Sequence, residues 1–157
     1  AGAFDLLHPG HVEVLERAAR LGDYLLVGLH SDETLRRHGR APVLTLPERA
    51  MAVLSLRGVD DVLLGAPWLV GGELLAAFNI SVVAAGRRPG GSEAGDARLE
   101  VPRAQGILAE VESSWPLAAG ALAARCLERS EELAERNGGL LAKELAYIGA
   151  KAFVPEA

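Results

Sequence analysis

Three features predict an α/β fold, a Rossmann-like doubly wound parallel sheet, for this chain of 157 residues. Short, wholly apolar runs recur, of the kind that form strands buried on both faces. Amphipathic stretches at helical spacing lie between them, and the connections are short. In such a sheet the crossovers bring the carboxyl ends of the strands to one edge, where ligands bind.

The elements follow in order. Pro9 suits the first turn of a helix, and Val12, Leu15, Ala18 and Ala19 recur at helical spacing up to a stop at Gly22. Tyr24–Leu29 is a buried strand, and a polar loop runs from Ser31 to Pro42. A second helix starts at Pro47-Glu48-Arg49, with Ala50, Val53 and Leu54 inward, and Asp61–Gly65 is the next strand. Residues 70–78 are predicted helical, and Ile80–Ala85 form a third strand ending at Gly86. The stretch 86–104, rich in Gly, Arg and Asp, reads as a long loop at that strand's end, a candidate lid or substrate loop. Ile107–Val111 is a last strand, and helix returns from Leu117, with a break expected at Gly138-Gly139. The organisation predicted is a nucleotide-binding domain over residues 1–115 and C-terminal helices over 116–157 that pack on it. Ala1–Asp5 reads as the turn after a strand, so a first strand is expected upstream of Ala1 and the chain is read as part of a longer protein.

The net charge of −5 speaks against nucleic acid as a partner, since a phosphate-backbone binder carries a basic surplus. The lone Cys126 cannot make an internal disulfide, and a reducing compartment is expected. No apolar run approaches the ~20 residues of a membrane span, and no signal peptide is visible.

The chemistry concentrates in Gly2-Ala3-Phe4-Asp5-Leu6-Leu7-His8-Pro9-Gly10-His11. This segment leaves a strand edge and enters a helix whose N-terminal amides and partial positive charge attract phosphate. His8 and His11, one helical turn apart, face the same way and can both donate to a polyphosphate. Gly10 lets phosphate approach the backbone, and Gly2 does the same for the turn beneath a nucleotide. Such a site aligns one phosphate for attack on another and stabilises the charge of the transition state without a protein nucleophile. Two histidines with no third ligand nearby do not make a metal site.

In this frame the sequence resembles the cytidylyltransferase family of the H-x-G-H nucleotidyltransferase type. Within it, the likeness is greatest to the second half of phosphoethanolamine cytidylyltransferases. The likeness rests on the Gly2–His11 motif, on Gly22–Asp32, on Pro42-Val43 and Glu48-Arg49, on Val59–Val62, and on Gly65-Ala66-Pro67-Trp68. The tail Ala134–Asn137 and Ala142–Tyr147 resembles phosphoethanolamine enzymes in particular.

The resemblance implies transfer of cytidylyl from CTP to phosphoethanolamine, giving CDP-ethanolamine and pyrophosphate, with Mg²⁺ accompanying CTP. His8 and His11 are then the catalytic pair. Gly2, Ala3, Phe4, Asp5 and Gly10 cradle the nucleotide, with His38, Gly86, Arg87 and Arg88 as further contacts. Asp32 and Trp68 lie on the substrate side. A paired cytidylyltransferase domain or a larger assembly is the implied partner. The implied location is the cytoplasm or the cytosolic face of a membrane, with an organellar assembly left open.

Three departures from the family pattern fall at phosphate or nucleotide contacts. His38-Gly39 stands where the family has Lys-Gly, and a neutral imidazole carries less charge. Arg36, Arg37 or Arg40 is a candidate substitute. Ala85-Gly86-Arg87-Arg88 replaces a His-Gly-Lys-Thr-like turn, and Ala118-Ala119 replaces hydroxyl residues at the start of the last long helix. A degenerate domain kept for structure or assembly is therefore the alternative reading.

Other residues carry two readings each. Asp5 orients His8 or a metal-bound water, or fixes its own turn by an Asx bond. Trp68 receives an amine head on its face, or fills the core or rim. Arg49 and Arg57 reach phosphates, or are ordinary surface charges. His30 is read as a satisfied, partly buried histidine and Cys126 as core.

Overall fold

The structure is a computed structural model that describes residues 1–87 and 96–150. Helix α1 (Pro9–Ala19) precedes strand β1 (Leu26–Leu29), followed by α2 (Asp32–Arg37), α3 (Leu46–Leu54), β2 (Asp61–Leu64), α4 (Gly72–Ala77) and β3 (Val83–Arg87). A 3₁₀ turn at Ala97–Leu99 runs into α5 (Glu100–Ala104), and then come β4 (Leu108–Glu112), α6 (Ala119–Glu128) and α7 (Ser130–Ala150). Strands and helices alternate as the sequence predicts. One compact unit covers Ala1–Ala119 and a second covers Gly120–Ala157.

All strand pairing is parallel. β1 pairs with β2 from Leu26 opposite Asp61 to Leu29 opposite Leu64. β3 pairs with β4 from Val83 opposite Leu108 to Arg87 opposite Glu112. The described strands thus form two parallel pairs, and Gly2 makes an isolated parallel bridge to Leu29. The apolar core is divided in the same way. Leu15, Val27, Leu29, Ala50, Val53 and Val59 pack around the first pair, and Val70, Leu75, Val83, Ala85 and Leu99 around the second. Burying side chains such as Leu29 and Val53, both 0% exposed, stabilises the fold by roughly 1.5–3 kcal/mol each.

Several boundaries differ from the sequence reading, each for a local reason. The polar stretch after β1 contains α2. Ser31 caps it by accepting from the Thr34 amide at 3.0 Å, Asp32 and Glu33 open it, and Arg37 pairs with Glu33 one turn back. β3 starts later than Ile80, because Asn79 takes a left-handed conformation (φ 50°) and the Ile80 amide returns to the Leu75 carbonyl at 2.9 Å, closing α4. The 86–104 stretch is less of a loop than expected, since β3 runs to Arg87 and residues 97–104 are helical.

In the second unit, α7 passes through Gly138-Gly139 without a break, and the interruption falls at Arg129. Each helical glycine costs about 1 kcal/mol against alanine, and the Leu-, Ala-, Glu- and Lys-rich flanks carry the helix across. Arg129 binds the Glu132 carboxylate at 2.6 Å at the start of α7. Cys126, read from sequence as core, is exposed. Among the described residues no helix is long and apolar enough to cross a membrane.

Candidate functional site

The carboxyl ends of β1, β2, β3 and β4 lead into residues 30–32, 65–68, 87 and 113–115. The Gly2–His8 turn leaves its bridge to Leu29 at this same edge. Phe4 and Leu6 both take left-handed backbone conformations (φ 49° and 46°) that side-chain-bearing residues rarely adopt. The turn is therefore held by its surroundings rather than by its own preference.

Two anchors hold it. Both carboxylate oxygens of Asp5 accept backbone amides, from Val43 at 2.8 Å and Leu44 at 2.9 Å. Asp5 thus ties the turn to the segment before α3. The second anchor is Arg49, which is 0% exposed. Its guanidinium donates to the carbonyls of Ala3 at 2.6 Å, His30 at 2.9 Å and Leu44 at 3.2 Å, and to the Asp32 carboxylate at 2.6 Å. Arg49 is thus not a surface charge. Asp32, placed on the substrate side from sequence, is engaged by Arg49 at the first residue of α2.

His8 sits at the N-cap of α1 and is buried. Its ring lies 3.9 Å from that of His11, centroid to centroid, and Phe4 lies 5.4 Å beyond His11. The helix entrance is partly closed as an amide site, because Pro9 has no N–H and the His11 amide donates to the His8 carbonyl at 2.8 Å. Gly10 leaves room for the His8 ring. A β-carbon there would stand 3.1 Å from two ring atoms and 3.5 Å from the Ser113 hydroxyl.

Glu13, one turn further, reaches across to the end of β4. It accepts the Ser114 amide at 2.8 Å and the hydroxyls of Ser113 and Ser114 at 3.0 Å. The Ser114 amide first, then the two hydroxyls and Arg17, hold its carboxyl below the usual range against a partial desolvation effect. An open 510 Å³ cavity beside this clamp is lined by His8, Val12, Glu16 and Trp115.

A second cluster surrounds Trp68. His38 stacks on its ring at 3.8 Å and 13°, and His30 approaches at 5.0 Å. The guanidinium groups of Arg40 and Arg98 lie over the ring at 5.5 and 5.1 Å. Trp68 thus collects cationic groups of this chain. His38 is held further by its Nδ1 contact to the Thr34 carbonyl at 2.9 Å. His30 is buried and donates from Nδ1 to the Ala66 carbonyl at 3.0 Å, which leaves Nε2 buried without a hydrogen-bond partner among the described residues. It is more deeply buried and less satisfied than the sequence reading had it. Desolvation lowers its pKa, more than the Ala66 bond raises it.

At the end of β3, Gly86 makes room for Val14 of α1, whose methyl would stand 3.0 Å from a β-carbon. Arg87 pairs with Glu110 at 3.3 Å and Glu112 at 3.9 Å on β4. Arg88 lies outside the described residues. Ala118 and Ala119 stand at the start of α6, where alanine offers no side-chain hydrogen bond.

The stretch of chain that carries strands β1 to β3, the glycine turn and the histidine pair matches a family model. The cytidylyltransferase-like model covers residues 1–106. The chain belongs to the cytidylyltransferase-like family. Its relatives in that family include the ethanolamine-phosphate cytidylyltransferase of Arabidopsis thaliana, 39% identical over 98% of this chain and 38% of that protein. The protein of the same name from Dictyostelium discoideum is 37% identical over 94% of this chain and 42% of its own length. The chain thus spans about two fifths of the curated relatives it matches. Among solved structures, the lipopolysaccharide core biosynthesis protein of Thermoplasma volcanium superposes with a TM-score of 0.53 at 27% identity, over 72% of this chain and 91% of that one. Asp5, Arg49 and the His8–His11 pair thus frame the glycine turn of a cytidylyltransferase-like domain.

Proposed function

We propose that this domain transfers cytidylyl from CTP to phosphoethanolamine, releasing pyrophosphate. The observation that carries this reading is the His8–His11 pair, its tilted rings 3.9 Å apart at the entrance of α1 on the carboxyl edge of the strands. The near full-length likeness of this chain to ethanolamine-phosphate cytidylyltransferases supports the choice of nucleotide and acceptor.

In the reaction an oxygen of the phosphoethanolamine phosphate attacks the α-phosphorus of CTP. A new P–O–P bond forms, the bond to the β-phosphate breaks, and pyrophosphate leaves. His8 and His11 donate hydrogen bonds to the phosphate oxygens and stabilise the charge that builds during transfer. Gly2, Ala3, Phe4 and Gly10 shape the turn under the nucleotide, and Gly86 and Arg87 border its base. Arg40 supplies the fixed charge that His38 lacks, and Trp68 and Asp32 bound the acceptor side.

Among the described residues no group of three His, Cys, Asp or Glu side chains is disposed to hold a metal. Mg²⁺ would accompany the triphosphate, as is usual for an ion that keeps several waters, and would supply charge neutralisation there. A paired cytidylyltransferase domain and a cytoplasmic setting, at or near a membrane face, belong to the same proposal.

Titration of CTP with Mg²⁺ into the domain by calorimetry tests it. Micromolar binding that the His8→Ala/His11→Ala variant abolishes is expected, together with pyrophosphate release when phosphoethanolamine is added. A folded domain that binds no CTP would replace this reading with that of a structural domain.

A further inference from the structure

Trp68 follows the end of β2, and its ring is already taken up by side chains of this chain. His38 lies flat on it at 3.8 Å, His30 approaches at 5.0 Å, and the guanidinium carbons of Arg98 and Arg40 stand 5.1 and 5.5 Å from its centroid. His30, Trp68, Asp96 and Arg98 all line a 570 Å³ cavity. We infer that Arg98 and Arg40 fill the cation seat of Trp68 and make this cluster a phosphate subsite, which an acceptor enters by its phosphate and where its ammonium group finds no place. The assignment of that phosphate to the acceptor rests on the cytidylyl transfer proposed for this domain.

An aromatic face attracts a cation that comes within about 6 Å of its centroid. Both guanidinium groups meet that condition at Trp68, and His38, inclined by 13°, covers one face. Arg98 is held in its position. Asp96 accepts from its Nε at 2.9 Å, its Nη2 at 2.5 Å and its backbone amide at 3.0 Å. An incoming ammonium would therefore have to displace a guanidinium fixed by two side-chain bonds, or sit beside two like charges.

The charge balance points the same way. Asp96 offsets Arg98, whose side chain above all holds the Asp96 carboxyl below the usual range. Arg40 is exposed and forms no ion pair among the described residues, and Asp32, just past β1, is engaged by Arg49. Two guanidinium groups thus stand with one carboxylate, and the cluster is net positive. The field reaches the buried His30, where desolvation first, and the charges of Arg98 and Arg40 after it, lower the pKa against the Ala66 bond.

His30 also has a bond to give. It is 1% exposed, its Nδ1 is engaged with Ala66, and its Nε2 has no hydrogen-bond partner among the described residues. A phosphate that reaches Nε2 bonds to it in either state, as a P–OH donating to the neutral ring or a P–O⁻ accepting from the protonated one. An ammonium could donate to the neutral ring as well, but only within the field of two guanidinium groups. Those groups suit phosphate oxygens, which a planar fork of donors meets in pairs.

The test titrates ethyl phosphate and phosphoethanolamine into the protein by calorimetry, with and without CTP and Mg²⁺. The two share the phosphate and differ in the positive tail. The parent is expected to bind them within about threefold of each other, and Arg40→Ala to weaken both by about tenfold. Arg98→Ala frees the ring and the Asp96 carboxylate together, and should turn the preference to phosphoethanolamine by about tenfold or more. Melting curves establish that each variant is folded.

A parent that prefers phosphoethanolamine by tenfold would overturn the inference. So would a folded parent that binds no ethyl phosphate, or an Arg40→Ala variant that binds both as before. Displacement of ethyl phosphate by CTP would overturn it too, by giving the cluster to the phosphates of the nucleotide. A protein that shows the expected pattern but releases no pyrophosphate keeps the phosphate subsite and loses the transfer reading. One that transfers cytidylyl yet binds ethyl phosphate tenfold more weakly than phosphoethanolamine does the reverse.

Discussion

Arg49 and Ala3 are joined by a 2.6 Å hydrogen bond across 46 residues of sequence, from a fully buried guanidinium to the turn that leads to His8. The same side chain fixes His30, Leu44 and Asp32, so one buried cation sets the relative positions of the glycine turn, the end of β1 and the start of α2.

Removing that cation leaves a carboxylate and three carbonyls short of their partner. Arg49→Ala is expected to destabilise the domain by about 3–5 kcal/mol, read as a lowered urea midpoint. Arg49→Lys should recover little, because one ammonium cannot span donors that a planar fork reaches together.

Gly10→Ala separates stability from binding. Alanine in a helix gains about 0.5–1 kcal/mol of intrinsic preference, but its β-carbon would stand 3.1 Å from the His8 ring. The expected result is a Tm within a few degrees of the parent and CTP affinity reduced by about tenfold or more, measured by calorimetry.

His30 makes stability depend on pH. Burial lowers its folded pKa below the unfolded value of about 6.5. Between the two values the unfolded chain binds the extra proton, so stability rises with pH and is lost as pH falls from about 6.5 through the folded pKa. Urea midpoints taken from pH 8 down to 5 should fall for the parent and fall less steeply for His30→Asn.

Glu13 acts in a more acidic window. Its depressed carboxyl contributes stability that is present above the ordinary glutamate range and lost as pH falls through the folded value. Glu13→Ala should remove that acid dependence and speed exchange of the Ser114 amide, which donates to Glu13 at 2.8 Å.

Much of this was legible in the sequence where neighbours decide the outcome. Pro9 and the spacing of Val12, Leu15 and Ala18 give α1, and the Gly2–His11 motif holds the two histidines whose rings the structure brings to 3.9 Å. α2 escaped because Leu35 is its sole buried residue, although Ser31, Asp32 and the Glu33–Arg37 spacing all signal a short capped helix. Arg49 was set beside the surface arginines by its charge, yet it falls one turn before Val53 on the inward face of α3. The backbone amides that Asp5 and Glu13 accept lie 38 to 101 residues away and are fixed only by tertiary packing, which local pattern does not encode.

Trp68 and Trp115 are the two indoles of the chain. The first lies flat against an imidazole and beneath two guanidinium groups, the second beside the cavity that His8 lines. Indole emission responds to the groups in contact with the ring. The domain therefore contains its own optical gauge: Trp68 fluorescence follows the packing of His38, Arg40 and Arg98 around it, and a Trp115→Phe variant isolates that signal without an added dye.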